Sequence, residues 1–376
     1  MRVLFVSTPG IGHAFPMVSL AWALRAAGHE VLFATGADAL AVRNAGLQVV
    51  DIAPGLTMRD LFARVHEEQP ELVERMRSGQ LRDVRLAITA FGRIASHLAD
   101  GVVEAAEDWR PDLVVYSQFQ GTGPLAAAKL GVPAVGHGFG FARAEDALPL
   151  LHEHMTDAYD RHGVAAPPRR HATIDVAPPS MLGGEPHGWS MRYVPYNGGA
   201  VLPEWLVRPA ERPRIAVTLG TVVPRMSGLG PVERIVAAAR HVDAEFVLAL
   251  GNTDTGALGE LPDNVRPVGW TPLGALLRTC AAAVHHGGAG TTLTVLDAGV
   301  PQLVVPDGAD RYINAHAVTE RGAGLTAEAD AVDPDLLGEL LGNDKLRRAT
   351  AEVRAEMAAM PAPAALVPRL ETLAAG

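Results

Sequence analysis

Residues 284–306 read VHHGGAGTTLTVLDAGVPQLVVP. Within them an apolar stretch ends in His285 and His286, and glycines follow that let the backbone approach a ligand closely. A helix is predicted to begin near Ala289, and the N–H groups and dipole at such a helix end attract a diphosphate. The segment therefore predicts a strand, a phosphate-binding turn and a helix. A turn that merely seats a buried histidine is the alternative.

The same alternation of apolar strands with amphipathic helices continues on both sides of this segment. It predicts an α/β protein of two Rossmann-like, doubly wound domains facing one another across a cleft, with ligands outside the carboxyl ends of the strands. The predicted strands are VLFV (3–6), EVLFAT (30–35), LVVY (113–116) and VPAVGH (132–137) in the first half, and RIAVTLG (214–220), AEFVLAL (244–250), AAAVHH (281–286) and PQLVVP (301–306) in the second.

The domain boundaries follow from where this rhythm is interrupted. A chain of 376 residues fits two domains. Residues 1–195 form the predicted first domain, 196–213 a proline-rich linker, and 214–357 the second domain. Residues 358–376 are predicted as a C-terminal helix that packs back on the first domain. Within the first domain, residues 141–195 lack a regular hydrophobic periodicity, which predicts long loops and short helices.

Composition excludes several classes of protein. The formal net charge of −10 provides no basic surface for nucleic acid, and the single cysteine, Cys280, allows neither an internal disulfide nor a thiolate metal site. No signal peptide and no membrane span is recognisable. We therefore expect a soluble, cytoplasmic protein without a nucleic-acid partner.

Three motifs in order, VGWTPL (268–273), HHGGAGTT (285–292) and PDGADRYINA (306–315), resemble the donor site of the antibiotic-type glycosyltransferases, which have two Rossmann-like domains, the GT-B fold. The resemblance is closest to the calicheamicin-type enediyne enzymes and extends from MRVLFVSTPGIGH to the final helix. It implies an inverting, metal-independent glycosyltransferase that needs no cofactor and takes a nucleotide-diphosphate sugar as co-substrate. The first domain then binds a lipophilic aglycone, and the second binds the donor.

The resemblance also implies which residues bind the donor. Trp270 stacks beneath the base, the backbone near Thr271 and Leu273 meets the base edge, and His286 with the amides after it binds the diphosphate. The full donor set is Thr221, Trp270, Thr271, Leu273, His286, Gly287, Gly288, Gly290, Thr291, Asp310 and Arg311.

Two positions depart from the family pattern. Family members often have Asp-Gln where this chain has Asp310 and Arg311. Arginine donates hydrogen bonds but accepts none, so Arg311 either pairs with phosphate or a substituted sugar, or turns to solvent. Asp310 is a sugar ligand or, alternatively, an N-cap. Related plant enzymes place a ribose-binding glutamate where this chain has Thr294, which agrees with a deoxyribose donor such as a thymidine diphosphate sugar.

The catalytic base implied by the resemblance is His13, in STPGIGHAFP (7–16). A histidine there takes the proton of an acceptor hydroxyl as the oxygen attacks the anomeric carbon, which inverts that centre. Relatives commonly orient this base with an aspartate after the PDLVV strand, but this chain has Tyr116, Ser117 and Gln118 there. The sequence therefore names no partner for His13.

Acceptor-binding candidates follow the strand ends of the first half. They are Gln118, Phe119, His137 and Phe139, although a structural role for His137 and Phe139 is an equal alternative. Asp333 and Asp335, around Pro334, predict a helix N-terminus and not a metal site.

Two other functions stay open, a sugar-nucleotide 2-epimerase and a non-catalytic partner protein that binds sugar nucleotides. The identity of the aglycone, the atom that is glycosylated and the oligomeric state, with a homodimer among the alternatives, are equally open.

Overall fold

The structure is a computed structural model that describes residues 1–77, 84–220, 229–251, 253–308 and 310–376. The chain divides into two units, which are described separately below. The first comprises Met1–Pro179, Gly184–Tyr196 and Met360–Gly376, and the second comprises Ser180–Gly183 and Asn197–Ala359.

Strands and helices alternate along the described residues. The strands are β1 (Arg2–Val6), β2 (Glu30–Thr35), β3 (Gln48–Asp51), β4 (Leu113–Ser117), β5 (Ala134–His137), β6 (His171–Asp175), β7 (Trp189–Ser190), β8 (Arg214–Thr218), β9 (Glu245–Ala249), β10 (Val265–Val268), β11 (Ala282–His285), β12 (Gln302–Val304) and β13 (Gly324–Thr326).

The α-helices are α1 (Ile11–Ala14), α2 (Val18–Ala26), α3 (Met58–Glu68), α4 (Pro70–Arg77), α5 (Val84–Ser96), α6 (Ala99–Trp109), α7 (Thr122–Leu130), α8 (Ala147–Glu153), α9 (Thr156–Arg161), α10 (Glu204–Val207), α11 (Gly230–Ala239), α12 (Leu273–Leu277), α13 (Ala289–Ala298), α14 (Arg311–Glu320), α15 (Pro334–Gly342), α16 (Asp344–Ala359) and α17 (Pro363–Ala375). No helix in the described part of the chain has the length and apolarity needed to cross a membrane.

The first unit is built on a seven-stranded parallel sheet with strand order β3-β2-β1-β4-β5-β6-β7. Its first six strands have the order of a Rossmann fold, and the order reverses between β1 and β4. These two central strands are apolar and almost wholly buried, as expected for parallel strands covered on both faces. The C-terminal helix α17 packs against α2 within this unit, where His29 Nε2 lies 3.0 Å from Glu371 Oε1.

The second unit repeats the arrangement with a six-stranded parallel sheet, ordered β10-β9-β8-β11-β12-β13. Its order reverses between β8 and β11, so the two sheets have equivalent switch points. The two Rossmann-like α/β domains predicted from the sequence are therefore confirmed.

The region after β5 contains more regular structure than its sequence predicted. Strands β6 and β7 extend the first sheet in parallel, in addition to the short helices α8 and α9. Strand β6 has the sequence HATID and is only half-buried over its first three residues, which explains why it lacks a continuous apolar signal.

The segment 196–213, predicted as a linker, belongs to the second unit from Asn197 onward. The Trp205 ring holds it there, because the guanidinium carbons of Arg214 and Arg266 lie 5.0 and 4.3 Å from the ring centroid. Glu245 accepts a hydrogen bond of 2.8 Å from Arg214 Nε, so the buried guanidinium is neutralised.

Candidate active site

His13 and Ser117 meet at the switch point of the first sheet. His13 lies on α1, directly after β1, and Ser117 is the last residue of β4. Their side chains are hydrogen-bonded, with His13 Nδ1 3.1 Å from Ser117 Oγ. Because ligands of doubly wound sheets bind at the switch point, this pair lies where chemistry is expected.

Aromatic rings surround the His13 imidazole. Its centroid lies 5.1 Å from that of Phe91 and 4.6 Å from that of Phe139, both edge to face. Phe119 in turn contacts Phe139 edge to face at 5.4 Å. Burial against these rings lowers the pKa of His13 from 6.5 to about 4, although the residue as a whole is only half-buried. The imidazole is therefore neutral near pH 7, and no described residue forms a hydrogen bond with its Nε2.

The acceptor-binding candidates divide into two groups. Phe119 and Phe139 belong to the ring cluster around His13. His137 pairs with Ser117 on the neighbouring strand and is fully buried, with Nδ1 2.7 Å from the Gly138 carbonyl oxygen and no partner for Nε2 in the described residues. Gln118 is half-buried, and its backbone N–H donates to the His137 carbonyl.

In the second unit, His285 shapes the turn between β11 and α13. The Gly287 N–H donates to His285 Nδ1 over 3.0 Å, so the ring proton is on Nε2, which lies 2.7 Å from Gln302 Oε1 and donates to it. Gly287 has φ +85°, and a Cβ there would lie 2.8 Å from Val304 Cγ1, so glycine is required. His285 therefore supports the turn and does not face a ligand.

His286 occupies the switch point of the second sheet. A Cβ on Gly220, just after β8, would lie 2.5 Å from His286 Cε1, and one on Gly288 would lie 2.5 Å from Nε2. Burial lowers the pKa of His286 well below 6.5, and the charge of Arg311 adds to this effect. Nδ1 is buried and has no partner among the described residues. A buried ring nitrogen without a described partner, next to two glycines, suits an incoming anion.

Helix α13 begins three residues after His286, so the first turn of the helix lies beside the His286 ring. Gly288 is the N-cap residue of α13 and has no side chain to cover the first amides. Gly290 and Thr291, predicted to bind the diphosphate, lie in this first turn and are half-buried.

Asp310 stands at the N-cap position of α14, as the alternative predicted, but its side chain makes no capping hydrogen bond. Its carboxylate instead accepts a 3.0 Å hydrogen bond from Asn314 Nδ2, which also donates to the Gly287 carbonyl over 2.8 Å. Burial raises the pKa of Asp310, whereas the Asn314 hydrogen bond and the charge of Arg311 oppose that shift. Arg311 is half-buried and donates to the Asp307 carbonyl, and its charge lowers the pKa of His286.

Trp270 is 48% exposed, which is a large exposed fraction for an apolar side chain of this size. No described aromatic ring stacks on the indole. Gly198 borders it, because a Cβ there would lie 3.3 Å from Trp270 Nε1. Leu273 opens α12, and the next amide, that of Gly274, donates to Asn197 Oδ1 over 3.0 Å. Thr271 Oγ1 donates to the Gly269 carbonyl. An exposed ring face beside an ordered turn is suited to a planar base.

Three other sequence predictions have distinct outcomes. Thr221 lies outside the described residues. Thr294 is buried and its hydroxyl donates to the Gly290 carbonyl over 2.6 Å, so it faces its own helix. Asp333 caps α15 by accepting from the Leu336 N–H, which confirms the predicted helix start. In the described ranges, no three His, Cys, Asp or Glu side chains form a group that could hold a metal.

Sequence reasoning missed four supporting residues, Ser117, Asn197, Gln302 and Asn314. Ser117, Asn197 and Gln302 lie 104, 77 and 17 positions from the residues that they contact. Asn314 lies within the donor motif, but its bond to the Gly287 carbonyl spans 27 positions. A direct indication in the sequence existed only for Ser117, which follows the PDLVV strand where relatives commonly have an aspartate.

Comparison with known proteins identifies the class. Residues 22–220 match the family described as "Erythromycin biosynthesis protein CIII-like, N-terminal domain", and residues 233–373 match its C-terminal domain. The chain is 44% identical to the elloramycin glycosyltransferase ElmGT of Streptomyces olivaceus, over 99% of this chain and 97% of that one.

Solved structures agree. The glycosyltransferase SnogD of Streptomyces nogalater is 44% identical, with a TM-score of 0.86 over 100% of this chain and 99% of that one. SsfS6 from Streptomyces sp. SF2575, solved with thymidine diphosphate, is 32% identical, with a TM-score of 0.80 over 99% of both chains.

Two parallel Rossmann-like sheets with these relatives define a glycosyltransferase of the GT-B fold. The chain belongs to the erythromycin CIII-like family of glycosyltransferases. The narrower likeness to the calicheamicin-type enzymes stays a prediction.

Proposed function

We propose that this protein transfers a deoxysugar from a thymidine diphosphate sugar to a lipophilic natural-product aglycone, with inversion, without a metal, and with His13 as general base. The observation that carries this proposal is the environment of His13. The ring lies at a switch point, Ser117 holds Nδ1, Nε2 has no described partner, and phenyl rings line its surroundings. The cytoplasmic location stays a prediction.

The proposed reaction is one displacement. The acceptor oxygen attacks the anomeric carbon while its proton passes to His13 Nε2. The bond from that carbon to the diphosphate oxygen breaks, and the electron pair leaves with the diphosphate. Attack opposite the leaving group inverts the centre. The negative charge that develops on the diphosphate is stabilised by the amides and dipole of the first turn of α13 and by a hydrogen bond from the neutral His286 ring.

The donor assignment rests on chemistry in the second unit. His286 Nδ1, which has no described partner, and the open N-terminus of α13 suit a diphosphate. Thr294 is buried with its hydroxyl turned to the Gly290 carbonyl, so its oxygen is not accessible to a ribose 2′-hydroxyl. That favours a deoxyribose nucleotide, and SsfS6 has been solved with thymidine diphosphate.

The acceptor assignment rests on the ring cluster. Phe91 is half-buried beside His13, and Phe119 and Phe139 are buried behind it, so the surroundings of the base are apolar and suit a hydrophobic aglycone. The relative ElmGT is named for elloramycin, a natural product. Gln118 is half-buried and adds a polar group that selects an acceptor orientation in this proposal, whereas His137 is fully buried and fits its structural alternative.

Turnover without a metal tests the proposed function. The wild-type protein, treated with a chelator and supplied with thymidine diphosphate sugars and an aglycone panel, is expected to release thymidine diphosphate and form glycoside. Mass spectrometry measures both products, and NMR of the anomeric proton is expected to show the configuration opposite to that of the donor. Tight nucleotide binding without glycoside would favour the partner-protein alternative, and an epimerised donor would favour the epimerase.

The base-stacking role of Trp270 predicts a selective loss of nucleotide binding. Removing a stacked aromatic ring costs about 1–3 kcal/mol, so we expect Trp270→Ala to weaken thymidine diphosphate binding about 5- to 150-fold. Calorimetric titration measures this change. Trp22→Ala is the matched control, since Trp22 is a similarly exposed indole, at 43%, in the first unit. Equal losses in both variants would contradict stacking at Trp270.

A further inference from the structure

The side chain that contacts His13 Nδ1 is a hydroxyl and not a carboxylate. Ser117 Oγ lies 3.1 Å from His13 Nδ1, and the serine is fully buried at the end of β4. Its neighbour Tyr116 points to the other face of the sheet, where its hydroxyl lies 2.9 Å from His171 Nε2. We propose that Ser117 is the positioning residue of His13, an inference that rests on the proposed role of His13 as base.

A serine can serve the base through the whole reaction, because a hydroxyl both donates and accepts hydrogen bonds. When Nε2 takes the proton of the acceptor, both ring nitrogens carry hydrogen, and Nδ1–H then donates to Ser117 Oγ. In the neutral ring that acts as base, Nδ1 already carries its hydrogen and donates it to Ser117 Oγ, which leaves the Nε2 lone pair free to take the proton. Ser117 therefore fixes the direction of Nε2 without adding a charge beside it.

Among the described residues, the rings packed against His13 are uncharged. Phe91 on α5 and Phe139 after β5 contact the ring, and burial is the sole cause of its lowered pKa in the described structure. The titratable side chain beside Ser117 is His137 on β5, whose own pKa burial lowers to about 4. Arg93, two residues after Phe91 on α5, contributes nothing to the His13 shift.

This environment fixes the expected pH dependence. The active base is the neutral ring, so kcat/KM rises with pH through the His13 pKa of about 4 and is level above it. An aspartate at position 117 places an anion beside Nδ1 and favours the imidazolium. We therefore expect Ser117→Asp to raise the His13 pKa by about 1–3 and to move the acid limb of kcat/KM to higher pH by the same amount.

Two further variants separate positioning from a structural role. Ser117→Ala removes only the hydroxyl and is expected to lower kcat about 10- to 100-fold through a misdirected base, with thymidine diphosphate affinity and melting temperature unchanged. Ser117→Thr restores the hydroxyl and is expected to recover most of kcat. If Ser117→Ala keeps the wild-type kcat, or loses kcat and melting temperature together while Ser117→Thr recovers neither, the proposal is wrong.

A spectroscopic readout keeps this test independent of turnover. In ligand-free protein with ¹⁵N-labelled histidine, NMR of the His13 ring is expected to show altered Nδ1 and Nε2 shifts in Ser117→Ala, and a raised pKa in Ser117→Asp. His13 shifts that match wild type in Ser117→Ala would overturn the role of Ser117 even in a protein without transferase activity. If the His13 shifts change in Ser117→Ala but the wild-type protein has no transferase activity, the hydrogen bond between Ser117 and His13 is supported and the proposed function is wrong. If Ser117→Asp does not fold, the alanine and threonine variants decide.

Discussion

His13→Ala is expected to lower kcat by about 10²- to 10⁴-fold, the usual contribution of a general base, and to leave thymidine diphosphate binding unchanged. The reason is that Nε2 is the one ring nitrogen of His13 without a described partner, and alanine provides no proton acceptor in its place. Donor binding is assigned to residues of the second unit, which the substitution does not touch. Steady-state kinetics with saturating donor and calorimetric titration with thymidine diphosphate measure the two quantities.

The fold is expected to tolerate His13→Ala. The ring is half-buried and contacts Phe91 and Phe139, so its removal costs contacts within the ordinary range of about 0.5–3 kcal/mol. Thermal unfolding checks that the variant remains folded at the assay temperature. His66→Ala is the matched control, because His66 is an exposed histidine on α3 and its loss is expected to change neither rate nor binding. A His13→Ala enzyme with near wild-type kcat would remove His13 as the base.

The strands that were predicted correctly are the ones that the fold buries. Strands β1, β4, β8 and β11 are continuous apolar runs at the centres of their sheets, so burial leaves an unambiguous signal in the sequence. Strand β3, QVVD, is exposed or half-buried along its length, and β7 has only two residues. Such edge strands are specified by pairing with a neighbour, which a local pattern does not contain.

The candidate site also has parts that the sequence predicts and parts that it does not. The donor turn at His286–Gly288 lies within one motif, so its residues could be named together from the sequence. The partner of His13 could not, because the contact joins residues 104 positions apart and depends on which face of β4 each side chain takes. Asn314 and Gln302 support the turn through side-chain hydrogen bonds from α14 and β12, and those bonds exist only once the second sheet has formed.

Gly288→Ala is expected to weaken thymidine diphosphate binding about 10- to 150-fold, the equivalent of losing one charge-assisted hydrogen bond worth about 1.5–3 kcal/mol. Gly288 has φ −60° and ψ 137°, which alanine adopts without strain. The new Cβ, however, would lie 2.5 Å from His286 Nε2 and 3.0 Å from Cε1. The ring is buried and Gly220 also lies close to it, so a shift of the ring is expected to disturb its surroundings.

A matched control and a double variant test whether the effect passes through His286. Gly338→Ala lies inside α15 with no atom within 4 Å of its added Cβ, so binding is expected to be unchanged and the protein to be stabilised by up to about 1 kcal/mol. His286→Ala is expected to weaken binding to a similar extent as Gly288→Ala. If Gly288→Ala acts by displacing the ring, adding it to His286→Ala lowers affinity no further, because the clash no longer exists. Additive losses in the double variant would mean that the backbone of the α13 N-terminus, and not His286, is the group that Gly288→Ala disturbs.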